Sequence, residues 1–222
     1  MKIIWVALLS VCALSANAQI VKQGNGYLFR MKLAAGKTLK YGVVSTLSSN
    51  EAGGSSMKLT LPMVWKTVAV KNGVSTVDTS AGPISSGGSN LGGQPVRNRI
   101  QIDTRGKLIG KAGSGQQLMP ALPDKPIRVG QSWSASAPIE LPMQGDKKIT
   151  ATYVFKGIKT VGGKSVAELA VKTSGQAAGT GTMLLLTSDG TLFKSHLNMS
   201  LTMTGPTGVL TKYHVTGDIS RK

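Results

Sequence analysis

His196-Leu197-Asn198-Met199-Ser200-Leu201-Thr202-Met203-Thr204, then Gly205-Pro206-Thr207-Gly208, then Val209 to Ile219: this stretch decides the fold class. Leu197, Met199, Leu201 and Met203 alternate with His196, Asn198, Ser200, Thr202 and Thr204. Past the turn, Val209, Thr211, Tyr213, Val215 and Ile219 alternate with Lys212, His214, Thr216 and Asp218. Strand side chains point to opposite faces with a period of two, so this is a hairpin with one apolar and one wet face.

The same texture runs through the rest of the chain. Turn chemistry recurs at Lys71-Asn72-Gly73, Val161-Gly162-Gly163 and Ser188-Asp189-Gly190. No apolar stripe with a helical period persists. Internal similarity is also visible. Val64-Trp65-Lys66 is echoed by Val154-Phe155-Lys156, and Gly73 and Ser75 by Gly163 and Ser165, at an offset of 90. Ile102-Asp103-Thr104-Arg105-Gly106-Lys107-Leu108 matches Leu186-Thr187-Ser188-Asp189-Gly190-Thr191-Leu192 at 84. Gly36-Lys37-Thr38-Leu39 matches Gly130-Gln131-Ser132-Trp133 at 94. The offsets change in loops, at 48–56 and in the Gly/Ser/Pro-rich 80–95. The expectation is an all-β fold, a duplicated antiparallel β-meander forming a strongly curved sheet or half-open barrel. Its units are 19–120 and 121–222, in one cooperative domain, with the repeats near 36–110 and 130–219. The concave face would be lined by Leu and Met, with Leu184, Leu185, Leu186, Leu197, Met199, Leu201 and Met203 making one half-sheet apolar.

Composition agrees with a packed domain. The 222 residues are 41% hydrophobic and 16% charged, with 28 Gly, 5% aromatics and one Cys. That apolar fraction excludes a disordered basic tail. The charge is uneven: 26 Lys and Arg face 9 Asp and Glu, a formal +17.

The first 18 residues read as a secretory signal peptide: Met1-Lys2, an apolar run from Ile3 to Leu14, and Ala16-Asn17-Ala18 as the cleavage site. The run is shorter than the roughly 20 residues that span a bilayer. Cys12, in Leu9-Ser10-Val11-Cys12, has the outline of a lipid-anchored cysteine, but Val11 is bulkier than such a site wants. Cleavage after Ala18 removes Lys2 and Cys12, leaving 25 basic and 9 acidic residues, a net of +16, and no cysteine. The mature chain would have no disulfide and no thiolate chemistry, and would be periplasmic or extracellular.

Between the units lies Leu122-Pro123-Asp124-Lys125-Pro126-Ile127-Arg128-Val129-Gly130-Gln131-Ser132-Trp133. With Asp103-Thr104-Arg105-Gly106-Lys107-Leu108 upstream, it resembles a family of exported bacterial proteins of unknown function. That family carries an Asp-x-x-Gly-Lys-Val/Leu hairpin, then a Leu-Pro-x-x-Pro-Val-x-Val-Gly-x-Ser-Trp segment. The resemblance runs from about Tyr41 onward. It implies structural roles for these residues and no catalytic ones: prolines stop pairing, a glycine turns the chain and the Trp fills the core.

Candidate chemistry is sparse. His214 falls opposite Asn198 or Ser200, roughly 8–14 Å from His196, too far for one metal. Gly36-Lys37-Thr38 and Gly163-Lys164-Ser165 mimic the end of a phosphate loop, but Met31 and Ile158 stand where it needs glycine. The acidic residues are scattered, Asp146 and Asp189 reading as turn residues. No serine sits in a nucleophile elbow. A non-enzyme without cofactor or metal is expected.

The basic residues mostly coat wet strand faces. One cluster departs from that: Arg97 and Arg99 on one strand, Arg105 in the next turn, Lys107 and Lys111 on the return. At the 84-residue offset the other unit has Gly181, Met183, Asp189, Thr191 and Ser195. These five cations are the candidate anion-binding site, for a phosphate-bearing lipid head or an acidic envelope polymer, or else a charged edge that resists aggregation. Nucleic acid is disfavoured, because no aromatics are interleaved with the cations for stacking. The expected function is a non-enzymatic envelope binding protein for an anionic amphiphile or polymer, with peripheral membrane contact. The alternative is a structural or interaction module with a protein partner.

Overall fold

The structure, a computed structural model, describes residues 19–49, 56–91, 95–110, 119–141, 145–175, 177–204 and 210–222, without the side chains of 137–141, 145–148, 203, 204 and 210. The leader reading of residues 1–18, Cys12 and Lys111 lie outside the described residues.

Among the described residues there are fifteen strands: β1 (Ile20–Gln23), β2 (Gly26–Phe29), β3 (Thr38–Ser49), β4 (Ser56–Lys71), β5 (Val74–Ala81), β6 (Ser85–Ser86), β7 (Ser89–Asn90), β8 (Val96–Ile102), β9 (Leu108–Ile109), β10 (Ser132–Leu141), β11 (Gly145–Val161), β12 (Lys164–Ser174), β13 (Ala177–Leu186), β14 (Leu192–Thr204) and β15 (Leu210–Arg221). β1 and β2 pair with each other. The rest form one 13-stranded sheet in the order β10-β11-β12-β13-β14-β15-β3-β4-β5-β8-β9, with β6 and β7 as a side hairpin on β4. Every pairing is antiparallel, and the sheet does not close on itself. The all-β, half-open architecture is as the alternation predicted. The register Ser200↔His214 is one of the two expected, and His196 lies opposite Asp218.

The hairpins β4–β5 and β11–β12 share a local device. Each has a bulge in its first strand, at Thr67/Ala69 and at Phe155/Gly157. Gly36 N–H donates to the Thr67 carbonyl and Thr67 N–H to that of Lys37. Gly130 N–H donates to the Phe155 carbonyl and Phe155 N–H to that of Gln131. Gly36 and Gly130 have φ of 80° and 86°, a region that costs a side-chain-bearing residue. These bonds align Thr67 with Phe155, an offset of 88, rather than the 90 read from Val64-Trp65-Lys66. The turns keep 90 because the arm beyond the bulge is two residues longer in β11.

Three further readings are corrected. Ser48 and Ser56, taken as loop ends, pair directly at the tips of β3 and β4. Asp146 is a strand residue opposite Glu140, because β11 begins already at Gly145. Leu184 does not share a face with Leu185. It packs outside the main core with Val166, Leu186 and Phe193, as the alternation of a single strand requires.

Curvature is built in at β13. A Cβ on Gly179 would lie 2.2 Å from the Asn198 carbonyl oxygen, and one on Gly181 2.2 Å from that of His196. Only a residue without Cβ lets β14 approach so closely, which is how strand glycines mark tight bends. One end of the resulting trough is filled by residues 19–33. Phe29 (0% exposed) meets Phe155 edge-on at 5.1 Å and Trp133 at 5.9 Å, while Met31 and Leu33 are buried beside it. Each such side chain contributes about 1.5–3 kcal/mol by leaving water. Backbone bonds tie this plug to both halves: Gln19 N–H to Thr187, Met31 N–H to Thr104 and Lys32 N–H to Asp189 carbonyls.

Residues 119–127 then bridge the open seam between β9 and β10. Leu122 N–H donates to the Arg105 carbonyl at 2.7 Å, and Trp133 Nε1 to the Ala121 carbonyl at 2.8 Å. Leu122 and Trp133 of this segment thus hold the seam together.

Candidate functional site

Two surfaces differ from an ordinary packed or solvated face: the unplugged end of the trough and the outer face of β3–β8. In the trough, paired residues share a face, so the registers define rows. One runs Val171, Gly181, Leu197, Gly217, Ser45, Leu59 from β12 to β4, and the next Thr173, Gly179, Met199, Val215, Leu47, Met57. Five strand steps make each row about 24 Å wide. Leu47, Leu59, Met199 and Val215 are half-buried and Met57 is 45% exposed, and none of them belongs to the main core cluster. The glycines keep the floor low. Thr173, in the second row, and Ser195, two rows nearer the plug beside Met183 and Ile219, hold buried hydroxyls without a partner among the described residues.

The predicted cation cluster is divided by the fold. Arg97 and Arg99 are exposed on the outer face of β8, whose inner face buries Ile100 and Ile102. Arg99 is paired bidentately with Asp78 on β5, and the Arg99 hydrogen bonds hold that carboxyl below the usual range. Arg105 turns away into the seam. It pairs there with Asp103 and Asp124 and, with Lys107, lines a cavity of about 250 Å³ beside Leu122, Pro123 and Trp133.

The registers also bring in cations that reading along the chain missed. Arg97 lies in the row Lys40, Val64, Ser80, Arg97, and Arg99 in the row Thr38, Lys66, Asp78, Arg99. Lys222 lies over Gly42 in the adjoining row, which continues to Ser220 and Lys194. Spacing along the chain gives no hint of this grouping. Only knowing that β15 pairs with β3 reveals it.

The remaining charges are structural. Asp189, 7% exposed, accepts Thr191 N–H and Oγ1–H and pairs with Lys37 at 2.9 Å and Arg221 at 3.0 Å. Burial alone would raise its pKa, but the hydrogen bonds from Thr191, Lys37 and Arg221 outweigh burial and lower it. Arg30 reaches from the plug to the Pro123 and Asp124 carbonyls, and burial, then the neighbouring Arg105, lowers its pKa. His196 Nδ1 meets Asp218 at 2.8 Å. Among the described residues each of the six acidic side chains touches a cation or His196, and no three His, Cys, Asp or Glu converge as metal ligands.

No protein-family model and no curated protein matches the chain. Among solved structures it is similar to lipovitellin, from a study of its lipid–protein interactions, at 12% identity and a TM-score of 0.38. That match covers 86% of this chain and 25% of that one, so the chain spans about a quarter of lipovitellin's length. It is also similar to a protein of Bacteroides fragilis with a YmcC-like fold, taken to be exported. There the identity is 10% and the TM-score 0.35, over 85% of this chain and 97% of the other.

Proposed function

We propose that this is an exported, non-enzymatic binding protein of the bacterial envelope whose trough takes the apolar chain of an anionic amphiphile. The observation that carries the reading is the half-exposed apolar row Met199, Val215, Leu47, Met57 on a glycine-bent floor. An ordinary core would bury these side chains, as the plugged end does. Methionine and leucine adapt to flexible ligands. An unpaired buried hydroxyl costs about 1–3 kcal/mol, and a ligand's polar group placed at Thr173 would recover that. The binding reading is further supported by the six described carboxylates, which are engaged with cations or His196 rather than poised for acid–base chemistry.

The test is native mass spectrometry of the purified chain, with displacement of a fluorescent fatty acid as a second readout. Wild type is expected to carry or take up one amphiphile, and Leu47→Asp with Met199→Asp to lose it while keeping its fold. A wild-type chain that takes up none overturns the reading. One observation favours a structural module with a protein partner instead: Ile84 (42% exposed) and Leu91 (54%) meet at the base of the β6–β7 hairpin, and Val96 (53%) opens β8. A stable protein complex without bound amphiphile would select that alternative.

A further inference from the structure

Four buried polar side-chain atoms among the described residues have no hydrogen-bond partner: Tyr41 Oη, Trp65 Nε1, Thr173 Oγ1 and Ser195 Oγ. The first two belong to large rings of the plugged core, whose burial carries the polar atom along with it. Thr173 (9% exposed) and Ser195 (5%) are different. A valine or an alanine would fill either place without a hydroxyl, so in the empty chain each hydroxyl only destabilises. Buried hydroxyls elsewhere are answered. Thr79 Oγ1–H donates to the Asn98 carbonyl, and Thr191 Oγ1–H to the Asp189 carboxylate.

Both hydroxyls stand on the inner face of the trough, at different depths. Thr173 lies opposite Gly179 on β13. From the other side Met199 leans over that glycine, its Cγ 2.8 Å from where a Gly179 Cβ would be. A side chain that flexible can swing aside for an incoming chain. Ser195 lies in the row Leu169, Met183, Ser195, Ile219, Val43, Leu61. Four residues along β14, from Ser195 to Met199, put the two levels about 13 Å apart. From β12 to β4, none of the described residues in these two rows or the one between them is charged. A carboxylate or phosphate buried there would meet no counter-charge. The polar group that fits is neutral, and it belongs to the part of the ligand inside the trough.

We infer that the trough selects an acyl chain carrying a neutral hydrogen-bonding oxygen, a hydroxyl or an ester carbonyl, partway along its length. Thr173 receives that oxygen, and Ser195 offers a second contact nearer the plug. This rests on the trough holding an amphiphile's chain, and narrows the ligand to chains of that kind. The anionic head stays at the open end, outside these rows. An unbroken alkyl chain also enters but leaves both hydroxyls unanswered, and a site built to hydrogen-bond a group discriminates against the analogue lacking it.

The test is displacement of a fluorescent fatty acid from the purified chain by hexadecanoic acid and by its monohydroxylated isomers, the hydroxyl moved along the chain. Wild type is expected to bind an isomer hydroxylated away from the carboxyl end about tenfold more tightly than hexadecanoic acid. Thr173→Val should abolish that preference and leave the affinity for hexadecanoic acid unchanged. Ser195→Ala should act only on isomers hydroxylated nearer the methyl end. Urea melts without ligand give a second readout: Thr173→Val should unfold at the wild-type midpoint or above, because it removes an unanswered hydroxyl and leaves no cavity. A lower midpoint would reveal a structural partner for Thr173 and overturn the inference. Equal affinity for hexadecanoic acid and every isomer, as a trapped water on each hydroxyl would give, overturns it too and leaves the trough reading standing. So does a preference that survives both variants. Uptake of no fatty acid at all overturns the trough reading, and the inference with it.

Discussion

Arg99 is laid flat against Asp78 across the β5–β8 pair, its Nε and Nη2 donating to the two carboxylate oxygens at 2.6 and 2.9 Å. Two arginines two residues apart on one strand are therefore unequal. Arg99 has its charge answered, whereas Arg97, opposite Ser80, meets no carboxylate among the described residues. Arg99→Gln is expected to let the Asp78 carboxyl rise toward the ordinary Asp range, and Arg97→Gln to leave it where it is. Carboxyl titrations by nuclear magnetic resonance check both, and an Asp78 pKa unmoved by Arg99→Gln would contradict the assignment.

Asp189 should govern acid stability. Its folded pKa lies below that of the unfolded chain, so its contribution is present in full above the ordinary Asp range, near pH 4, and is lost as pH falls through the folded value. Asp189→Asn leaves Lys37 and Arg221 without their carboxylate and should cost about 2–3 kcal/mol at neutral pH. Urea melts at pH 7 and pH 3 would show the gap between wild type and variant narrowing in acid.

Gly181→Ala pushes a methyl group into the His196 carbonyl and should cost about 3 kcal/mol. Gly24→Ala meets open space and bears only the positive-φ penalty, about 1 kcal/mol. Equal midpoints in denaturant would mean that β13 and β14 are not held so close.

Phe29→Ala should cost about 3–5 kcal/mol, because the ring is fully buried between Phe155 and Trp133. Thermal melts followed by near-ultraviolet circular dichroism would register the loss. A change below 1 kcal/mol would show that the plug is dispensable to the core.

Strand content and several registers were legible because alternation and turn residues are local signals. His196 to Ile219 announces β14 and β15, and Asn72-Gly73 and Gly162-Gly163 mark turns that form. The plug was not legible, since Ile20–Phe29 is a short hairpin whose burial depends on Phe155 and Trp133, far along the chain. The cation grouping was half legible. Arg97 and Arg99 stand out by spacing, but Lys40, Lys66 and Lys222 join them through pairings no sequence period encodes. Arg105 shows the converse: near its companions in sequence, it is drawn into the seam by Asp103 and Asp124.

The pairing of β15 with β3 has a consequence for the order of assembly. The second half of the sheet, β10 to β15, precedes the first half in space, and among the described residues the ladder that joins them runs between Tyr213–Arg221 and Tyr41–Ser49. A chain emerging from its N-terminus can build β3 to β9 early, but β3 keeps a bare edge until residues beyond 210 arrive. Contacts that distant in sequence make folding slow. The chain therefore stays loosely assembled until almost all of it has emerged, and a truncation before β15 should leave two half-sheets tied by the plug and residues 119–127 but without a strand ladder between them.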